Sequence, residues 1–451
     1  MSDSRLRDLF LAVAGRIDGG ILIEQAAREI GVEPGAHVLS VGKAAFPMLR
    51  GLRRAWTAEG GPDREPSGFS SGLMVAPEPL FPGAASLVAR PIADRLDAVL
   101  PARVGAIPGD HPEPTTRSAA AARAAHNFVA RLTPEDHLVV LLSGGTSSLL
   151  AAPAGDLTLE DKRVTAGALA RAGASIAELN TVRKHLSRVK GGRLGLATGA
   201  RVTVLALADV IGNDPALVAA TVGSGPFSPD PTTFGEALAI VERLAPASPP
   251  RVLSRLALGA SRQIDETPKP GDPRLAAVAY HVVAGPARVH EEARRAGTAA
   301  GVRVGVLCRD TDLRVEALAA AYVERARHEV VARGAARVLI GNGEPTLELP
   351  SAPGRGGRCT HLALLVARGI AGLVGVTFLA AGTDDRDGSS GAVGAVVDGR
   401  TWPRAQELGL DTEGALLRYD SAAVLAPLGA LVQGPAASNL LDLHLMEIDG
   451  P

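Results

Sequence analysis

Short apolar segments alternate along this chain with longer segments rich in alanine, leucine and arginine. The short segments are candidate strands, at 37–41, 73–76, 138–142, 201–206, 278–284, 302–308, 336–340 and 375–380. The segments between them place apolar residues at helical spacing, as in SAAAARAAHNFVARL at 118–132. This alternation predicts an α/β fold with mostly parallel sheets and helices on both faces.

Glycine-rich loops follow several of the candidate strands. Their sequences are VGKAAF, LLSGGTSS, LADVIGND, IGNGEPT and AAGTDDRDGSSG. In open parallel sheets, ligands bind beyond the carboxyl ends of the strands, where such loops collect. The position of the loops therefore predicts a ligand site built from them.

The composition excludes several classes of protein. Lys plus Arg (47) and Asp plus Glu (48) balance, and aromatic residues make up 3% of the 451 residues. A nucleic-acid surface needs a basic patch or stacking platforms, so we expect no nucleic-acid partner. No apolar run reaches the roughly 20 residues of a membrane span, and no signal-type segment opens the chain. We therefore expect a cytoplasmic protein with no membrane partner.

The loop Ser143-Gly144-Gly145-Thr146-Ser147-Ser148 follows an apolar strand and opens a predicted helix. Glycine lets the backbone approach a ligand closely, and N–H groups at the start of a helix favour phosphate or carboxylate. A tight strand-to-helix turn without a ligand is the alternative. The chain has no GxxxxGK[ST] segment and no GxGxxG after its first strand, so neither a P-loop nor a dinucleotide site is predicted.

Cations are concentrated in two further segments. The run Asn180–Leu194 holds five Arg or Lys residues within eleven positions. A solvated helix face explains some of them, but Lys190 and Arg193 flank two glycines and are better placed to meet an anion. The segment GRGGR at 354–358 places two arginines in a flexible frame, which suits a phosphoryl group or is simply a surface turn.

Carboxylates follow two strands of the predicted sheets. Asp209 lies in LADVIGND, and Asp384 lies in GTDDRDG, which holds three carboxylates in four positions. Carboxylates beside glycine loops suit Mg²⁺, whereas Asp214 and Asp230 are expected to be helix N-caps. Basic residues, acidic residues and glycine loops therefore occur together at strand ends. This combination is typical of enzymes of phosphoryl transfer, in which the protein positions the reactants and neutralises charge.

Ten segments resemble those of one family, in the same order. They are VGKAAFPM at 41–48, GDHPEPTTRS at 109–118, LLSGGTSSLL at 141–150, NTVRKHLSRVKGGRLG at 180–195, ADVIGND at 208–214, GSGPFSPDPTTF at 223–234, GNGEPTLEL at 341–349, GRGGR at 354–358, AGTDDRDGSSGAVGAVVDG at 381–399 and GPAASNLLDL at 434–443. The chain resembles the glycerate 2-kinase family, the type-II glycerate kinases with a MOFRL domain as the C-terminal half. The resemblance covers nearly the whole chain, and VRKHLSxxKGGRL is long and specific.

The resemblance implies two α/β domains. The larger, over residues 1–240, is Rossmann-like with a mostly parallel sheet, and the smaller, over 241–451, is a MOFRL-type α/β domain whose last residues could pack back on the first. The implied reaction is ATP-dependent phosphorylation of D-glycerate at its 2-hydroxyl with Mg²⁺, giving 2-phosphoglycerate. A homodimer is a further expectation.

The resemblance also implies roles for individual residues. Lys43 of VGKA and Arg358, which closes GRGGR, are catalytic candidates that would neutralise charge on the transferring phosphate, although Lys43 could instead hold the substrate carboxylate. Asp209 and Asp384 are catalytic candidates as a base or as Mg²⁺ ligands. The candidates for binding substrate or phosphate are Ser143, Gly144, Gly145, Thr146, Ser147, Lys190, Arg193 and, beside the GDHP turn, His111.

The chain departs from the family pattern mainly in its C-terminal half. Cys359-Thr360-His361 stands where the family has Asn-Gln-Glu, and the segment 434–442 loses two hydroxyls and an asparagine relative to GPTGTNVND. The phosphate-handling residues are kept, so we expect the same reaction class with the exact acceptor left open. The alternatives are a kinase of another small hydroxy acid, a non-catalytic nucleotide-binding relative and, in third place, a hydroxypyruvate reductase.

Overall fold

The computed structural model describes residues 2–57, 68–77, 103–212, 214–332, 334–384, 386–434 and 440–450. The chain divides into two compact units. The larger unit is Gly19–Val283, and the smaller unit combines Met1–Asp18 with Ala284–Pro451. The division therefore falls after the boundary expected at residue 240. The reason is that helix Pro250–Ala260 packs on helix Phe234–Leu244, which keeps this segment within the larger unit.

Six strands form the sheet of the larger unit: β1 (His37–Val41), β2 (Gly72–Pro77), β3 (Val104–Gly109), β4 (His137–Leu142), β5 (Arg201–Leu207) and β6 (Val278–Ala284). Their spatial order is β3-β2-β1-β4-β5-β6, with parallel pairing from β3 across to β5. Every residue of β1 and β4 after the first is buried, as parallel strands covered on both faces require. This strand order is that of the Rossmann fold, so the predicted Rossmann-like, mostly parallel sheet is confirmed.

The helices of the larger unit lie between and beyond these strands. Among the described residues they are Gly19–Ile30, Ala45–Thr57, Thr116–Val129, Thr146–Leu149, Leu159–Arg171, Ile176–His185, Arg193–Leu196, Pro215–Thr221, Phe234–Leu244 and Pro250–Ala260, with 3₁₀ turns at Val222–Ser224 and Pro273–Leu275. Several begin at capping boxes, in which a Ser or Thr side chain and the residue three positions later satisfy each other's N–H groups. The proline-rich segment 245–274 contains the helix Pro250–Ala260.

Six strands also form the sheet of the smaller unit: β7 (Arg303–Val306), β8 (Arg337–Gly343), β9 (Val376–Gly382), β10 (Gly394–Asp398), β11 (Leu431–Val432) and β12 (Asp442–Ile448). Their order is β11-β10-β9-β12-β8-β7, and β7–β8 is a parallel pair. β12 pairs antiparallel with both β8 and β9, and β10 pairs antiparallel with β9 and β11. The expectation of mostly parallel sheets is therefore wrong for this unit, because β12 inserts between two strands that precede it by many residues.

The helices of the smaller unit include the first helix of the chain. They are Ser2–Arg16, Pro286–Ala299, Val315–Ala332, Arg358–Gly369, Thr401–Glu407, Thr412–Leu417 and Ser421–Leu425. Helix Ser2–Arg16 packs on helix Pro286–Ala299 and on β9, and Arg7 Nη1 donates to Leu431 O at 2.7 Å. The last strand, β12, also contacts helix Ser2–Arg16. The first helix joins the C-terminal part of the chain, and the last strand lies in the sheet of that same part.

Candidate active site

The loops after β1 and β4 meet at the point where the strand order of the larger unit reverses. Connections from β1 and β4 lead to opposite sides of the sheet, and such a switch point leaves a crevice in which α/β proteins bind ligands. Lys43 follows β1, and the SGG loop (Ser143–Ser148) follows β4. The fold therefore brings together two segments that the sequence singled out separately.

Backbone and hydroxyl hydrogen bonds join these two loops. Lys43 N donates to Gly144 O at 2.9 Å, and Ala44 N donates to Ser143 Oγ at 3.0 Å. The buried Thr146 hydroxyl lies 3.0 Å from the carbonyl oxygen of Val41. Gly42 has φ +130°, and a Cβ there would lie 2.1 Å from Ser143 Oγ, so the contact between the loops needs glycine at this position.

Lys43 and His111 both approach Gly145. A Cβ placed on Gly145 would lie 3.0 Å from His111 Cδ2 and 3.4 Å from Lys43 Cγ. Gly145 also has φ +86°, where glycine is favoured. Burial of the ring, and then the charge of Lys43, lower the pKa of His111 to about 4. The imidazole is therefore neutral at pH 7 and can accept or donate one hydrogen bond beside the lysine.

Ser147 connects the SGG loop to Lys190. Lys190 Nζ donates to Ser147 O at 2.5 Å and to Ser147 Oγ at 2.8 Å, and Ser147 Oγ lies 3.0 Å from Ser224 Oγ. Ser224 in turn donates to Asn180 Oδ1 at 3.1 Å. Lys190 is 2% exposed, so it contacts the SGG loop from the interior of the protein. Arg193 follows the two glycines of KGGR and donates from Nη1 to Lys184 O at 3.0 Å.

The remaining acids of the larger unit have different surroundings. Asp209 follows β5 and is half-buried, at the same sheet edge as Lys43. Asp214 accepts from Ala216 N at 2.9 Å and caps helix Pro215–Thr221, as expected. Asp230 is not an N-cap. It is fully buried and accepts from Lys184 Nζ at 3.1 Å, so tertiary pairing rather than helix geometry explains it.

Arg358 of the smaller unit stands at the start of helix Arg358–Gly369 and is held by two carboxylates. Its Nη1 lies 2.6 Å from Glu344 Oε1, and its Nε lies 3.4 Å from Asp442 Oδ2. The charge of Asp442, followed by that of Glu344, raises the pKa of Arg358 above its usual range, against the effect of burial. The guanidinium is permanently charged and fixed in direction, which suits a residue that stabilises developing negative charge.

Two acids that the sequence did not assign complete this region. Asp442 is 3% exposed and lies at the start of β12, opposite Gly382. Asp387 accepts from the N–H groups of Cys359 at 3.0 Å and Thr360 at 2.8 Å, and it thereby anchors the helix that carries Arg358. Burial raises the pKa of Asp387 to about 6. The sequence places Asp387 in GTDDRDG and Asp442 in GPAASNLLDL. Neither segment predicts that Asp387 binds the N–H groups of Cys359 and Thr360 or that Asp442 pairs with Arg358.

Asp384 lies where a divalent cation could be accommodated. A Cβ placed on Gly382 would lie 2.8 Å from Asp384 Oδ1 and 3.5 Å from Asp442 Oδ1, so carboxylate oxygens approach the same small space. The described ranges contain no group of three or more His, Cys, Asp or Glu residues that could hold a metal. Mg²⁺ is commonly bound by one or two carboxylates together with water and substrate phosphates, so this donor set fits it. Asp385 and the segment 435–439 lie outside the described residues.

Comparison with known proteins identifies the family of the chain. The model described as Domain of unknown function (DUF4147) matches residues 14–257, and the MOFRL family model matches 337–442. D-glycerate 2-kinase of Thermotoga maritima is 33% identical over 339 residues, which cover 74% of this chain and 77% of that protein. The chain belongs to the glycerate 2-kinase family. The first family model extends past residue 240, as the larger unit does.

Two further matches cover nearly the whole chain. The crystal structure of glycerate kinase from Thermotoga maritima has a TM-score of 0.79 at 27% identity, covering 99% of this chain and 100% of that one. A protein of Agrobacterium vitis that carries the provisional name hydroxypyruvate reductase is 33% identical over 418 residues, covering 91% of this chain and 86% of its own. In the described part of the chain, no helix is both long and apolar enough to cross a membrane.

Proposed function

We propose that the protein is a glycerate 2-kinase that transfers the γ-phosphoryl group of ATP to the 2-hydroxyl of D-glycerate, giving ADP and 2-phosphoglycerate. The observation that carries the proposal is the close approach of Lys43 and His111 to Gly145 at the switch point of a Rossmann-like sheet, in a chain of the glycerate 2-kinase family. A lysine beside a glycine-rich strand-to-helix turn is suited to hold a phosphoryl group.

In the proposed reaction the 2-hydroxyl oxygen forms a bond to the γ-phosphorus, while the bond from this phosphorus to the β,γ-bridging oxygen breaks. Lys43 neutralises charge on the transferring group, and Arg358 is the second cation for the same task. The hydroxyl proton passes to a base, for which the carboxylates of Asp209 and Asp384 are the candidates. The SGG loop, with Lys190, Arg193 and His111, is the candidate surface for the substrate's anionic groups.

The alternative role for Asp209 or for Asp384 is that of a Mg²⁺ ligand, and Mg²⁺ when bound would supply further neutralisation of the nucleotide phosphates. Both carboxylates follow strands directly, so their positions are set by the sheets. The cytoplasmic location stays a prediction. A homodimer stays a prediction.

A coupled ADP-release assay with ATP, Mg²⁺ and D-glycerate tests the proposal, with 2- and 3-phosphoglycerate resolved by chromatography. Turnover to 2-phosphoglycerate that requires both ATP and D-glycerate is expected. Turnover on other hydroxy acids alone would mean that the changes at Cys359–His361 and in 434–442 altered the acceptor. ATP binding without turnover on any hydroxy acid would overturn the assignment as a kinase.

The hydroxypyruvate reductase alternative has the provisional name of the Agrobacterium vitis relative in its favour. It requires oxidation of NADH or NADPH when hydroxypyruvate is added, which absorbance at 340 nm measures directly. The first strand leads into Gly42-Lys43-Ala44-Ala45-Phe46 rather than into a GxGxxG turn, so the pyrophosphate-binding turn of dinucleotide enzymes is missing from this position. We expect no consumption of the dinucleotide.

A further inference from the structure

Four basic side chains lie close enough to affect one another's pKa, and one of them, Lys190, is hydrogen-bonded to the SGG loop. Lys162 comes from helix Leu159–Arg171, Arg183 from helix Ile176–His185, Lys190 from the turn after it, and Arg193 from helix Arg193–Leu196. Helices Leu159–Arg171 and Ile176–His185 pack together, and Lys190 contacts Ser147 through two hydrogen bonds. We call these four residues the cation cluster.

The Lys162 ammonium lacks a partner within the described residues. Its Nζ atom is buried and makes no hydrogen bond, although lysine carries three donors. A buried ammonium without a partner is costly, because it has lost its water and gained nothing in exchange. A helix surface exposed to solvent would not be built in this way, so the position of Lys162 requires another explanation.

The acids of this region are occupied elsewhere. Asp230 pairs with Lys184 at 3.1 Å, and Glu266 lies 3.0 Å from His185 Nε2. Among the described residues, no carboxylate forms an ion pair with Lys162, Arg183 or Lys190. Arg193 differs from them, because the negative charges of Asp230 and Glu266 act to raise its pKa against the effect of burial. The cluster therefore contains basic groups without carboxylate partners, and Lys190 connects it to the SGG loop of the candidate active site.

We propose that Lys162, Arg183 and Lys190 form a subsite that binds the carboxylate of the hydroxy acid, and that the Lys162 ammonium obtains its ion pair when the acid is bound. This inference deepens the proposed function and rests on it for the identity of the acid. Ser147, which touches Lys190, and Gly145, which touches Lys43, belong to the same short turn. In glycerate the carboxylate and the 2-hydroxyl are on adjacent carbons, so a carboxylate held near Ser147 leaves the hydroxyl towards Lys43.

The electrostatics of the cluster agree with this assignment. Burial, and then the charges of Arg183 and Arg193, lower the pKa of Lys162 to about 7. Burial, with the charges of Lys162 and Arg183, also holds the pKa of Lys190 well below its usual value. These cations face Lys162 from the neighbouring helices and the turn between them. An anion bound among them would raise the pKa of Lys162, so at pH 8 binding of the acid should be accompanied by proton uptake.

The test compares Lys162→Met with Arg163→Met. Arg163 is the next residue of the same helix, is exposed, and pairs with Glu160 at its surface, so it provides a matched control. In Lys162→Met we expect the KM for D-glycerate to rise at least tenfold, while the KM for ATP changes less than twofold. Titration calorimetry of D-glycerate at pH 8, in two buffers of different ionisation enthalpy, should show proton uptake in the wild-type protein and in Arg163→Met but not in Lys162→Met.

Each outcome decides the proposal. A rise in the KM for ATP instead would overturn it in favour of a nucleotide-phosphate subsite, and unchanged constants would overturn it outright. Glycerol, which lacks the carboxylate, should not bind in the same titration. If the protein binds D-glycerate but transfers no phosphoryl group, the proposed function fails while the calorimetry still decides the subsite. If D-glycerate does not bind to the wild-type protein, the subsite assignment is overturned.

Discussion

The two units of the molecule treat their functional cations in opposite ways. In the smaller unit, Arg358 meets the carboxylates of Glu344 and Asp442, and Asp442 is itself buried. In the larger unit, Lys162 Nζ is buried without a hydrogen-bond partner among the described residues. A paired cation is held in one direction before the substrate arrives, whereas an unpaired one is stabilised by the substrate. The difference predicts that Arg358 keeps one orientation without a ligand, whereas Lys162 gains a partner only when an anion binds.

Lys43→Ala gives the largest expected effect on this comparison. Loss of the ammonium beside the SGG loop should lower kcat by roughly 10³-fold, the magnitude found when a positioned electrostatic group is removed from a transition state. ADP release with ATP and D-glycerate measures it. Arg53→Ala, an exposed cation on the helix that follows Lys43, should retain wild-type activity. Full activity in Lys43→Ala would remove the lysine from the catalytic assignment.

Arg358→Met and Lys162→Met should change stability in opposite directions. Removing Arg358 leaves the buried Asp442 carboxylate without its main countercharge and should lower the free energy of unfolding by about 3 kcal/mol. Removing the Lys162 amine eliminates a buried polar group that has no partner and whose charged form is disfavoured by burial, so the ligand-free protein should become more stable. Urea unfolding at pH 7 without ligands measures both.

The exposed Arg355 belongs to the same GRGGR segment and supplies the stability control for Arg358. Arg355→Met should leave the urea midpoint close to that of the wild-type protein. If Arg358→Met and Lys162→Met shift the midpoint in the same direction, the contrast between paired and unpaired cations does not hold.

Gly145→Ala, compared with Gly173→Ala, tests whether the space around Gly145 in the SGG loop matters for activity. Both Gly145 and Gly173 have positive φ, +86° and +77°, so alanine at either position should cost about 1–2 kcal/mol of stability. Around Gly173 a Cβ would meet nothing within 4 Å, whereas at Gly145 it would crowd His111 and Lys43. We therefore expect a fall in kcat/KM of about tenfold for Gly145→Ala alone. Equal activities in the two variants would mean that the contact does not matter.

His111→Asn gives the smallest expected effect. Because the pKa of His111 is lowered to about 4, the ring is already neutral throughout pH 5.5–7.5, and its replacement should not change the shape of the pH–rate profile there. The KM for D-glycerate should rise only a fewfold, through the loss of one neutral hydrogen bond. Disappearance of an acid limb from the profile would show that the protonated ring takes part.

The sign of the stability effect at His111 follows from the same pKa. Between about pH 4 and its ordinary value near 6.5, the unfolded chain binds a proton that the folded ring does not. The contribution of His111 therefore favours folding increasingly as pH rises through this window, and it disfavours folding as pH falls. His111→Asn should flatten this part of the curve of stability against pH.

Local patterns in the sequence were sufficient for much of the larger unit. The strand at 37–41 was predicted at the bounds that β1 has, and the SGG loop lies between a strand and a helix as expected. Both predictions depend only on neighbouring residues. A continuous apolar run indicates a strand that is buried on both faces, and glycine indicates a position where another group approaches the backbone closely. The family resemblance added the reaction class, together with candidate roles for Lys43 and Arg358.

Other features required the tertiary structure. β12 was not predicted, although it lies between β8 and β9, and its Asp442 meets Arg358 from 84 positions away in the chain. The first helix joins the smaller unit, and Asp230 pairs with Lys184 instead of capping a helix.

The sequence by itself therefore determined the strand–helix alternation, the glycine loops and the family of this protein. Only the tertiary structure decided which charged side chains have partners. It shows that Arg358 is paired with carboxylates, whereas Lys162 has no hydrogen-bond partner among the described residues. The physical reason is that burial and periodicity are encoded within a few neighbouring residues, whereas a charge's partner depends on which distant segments the sheet brings together.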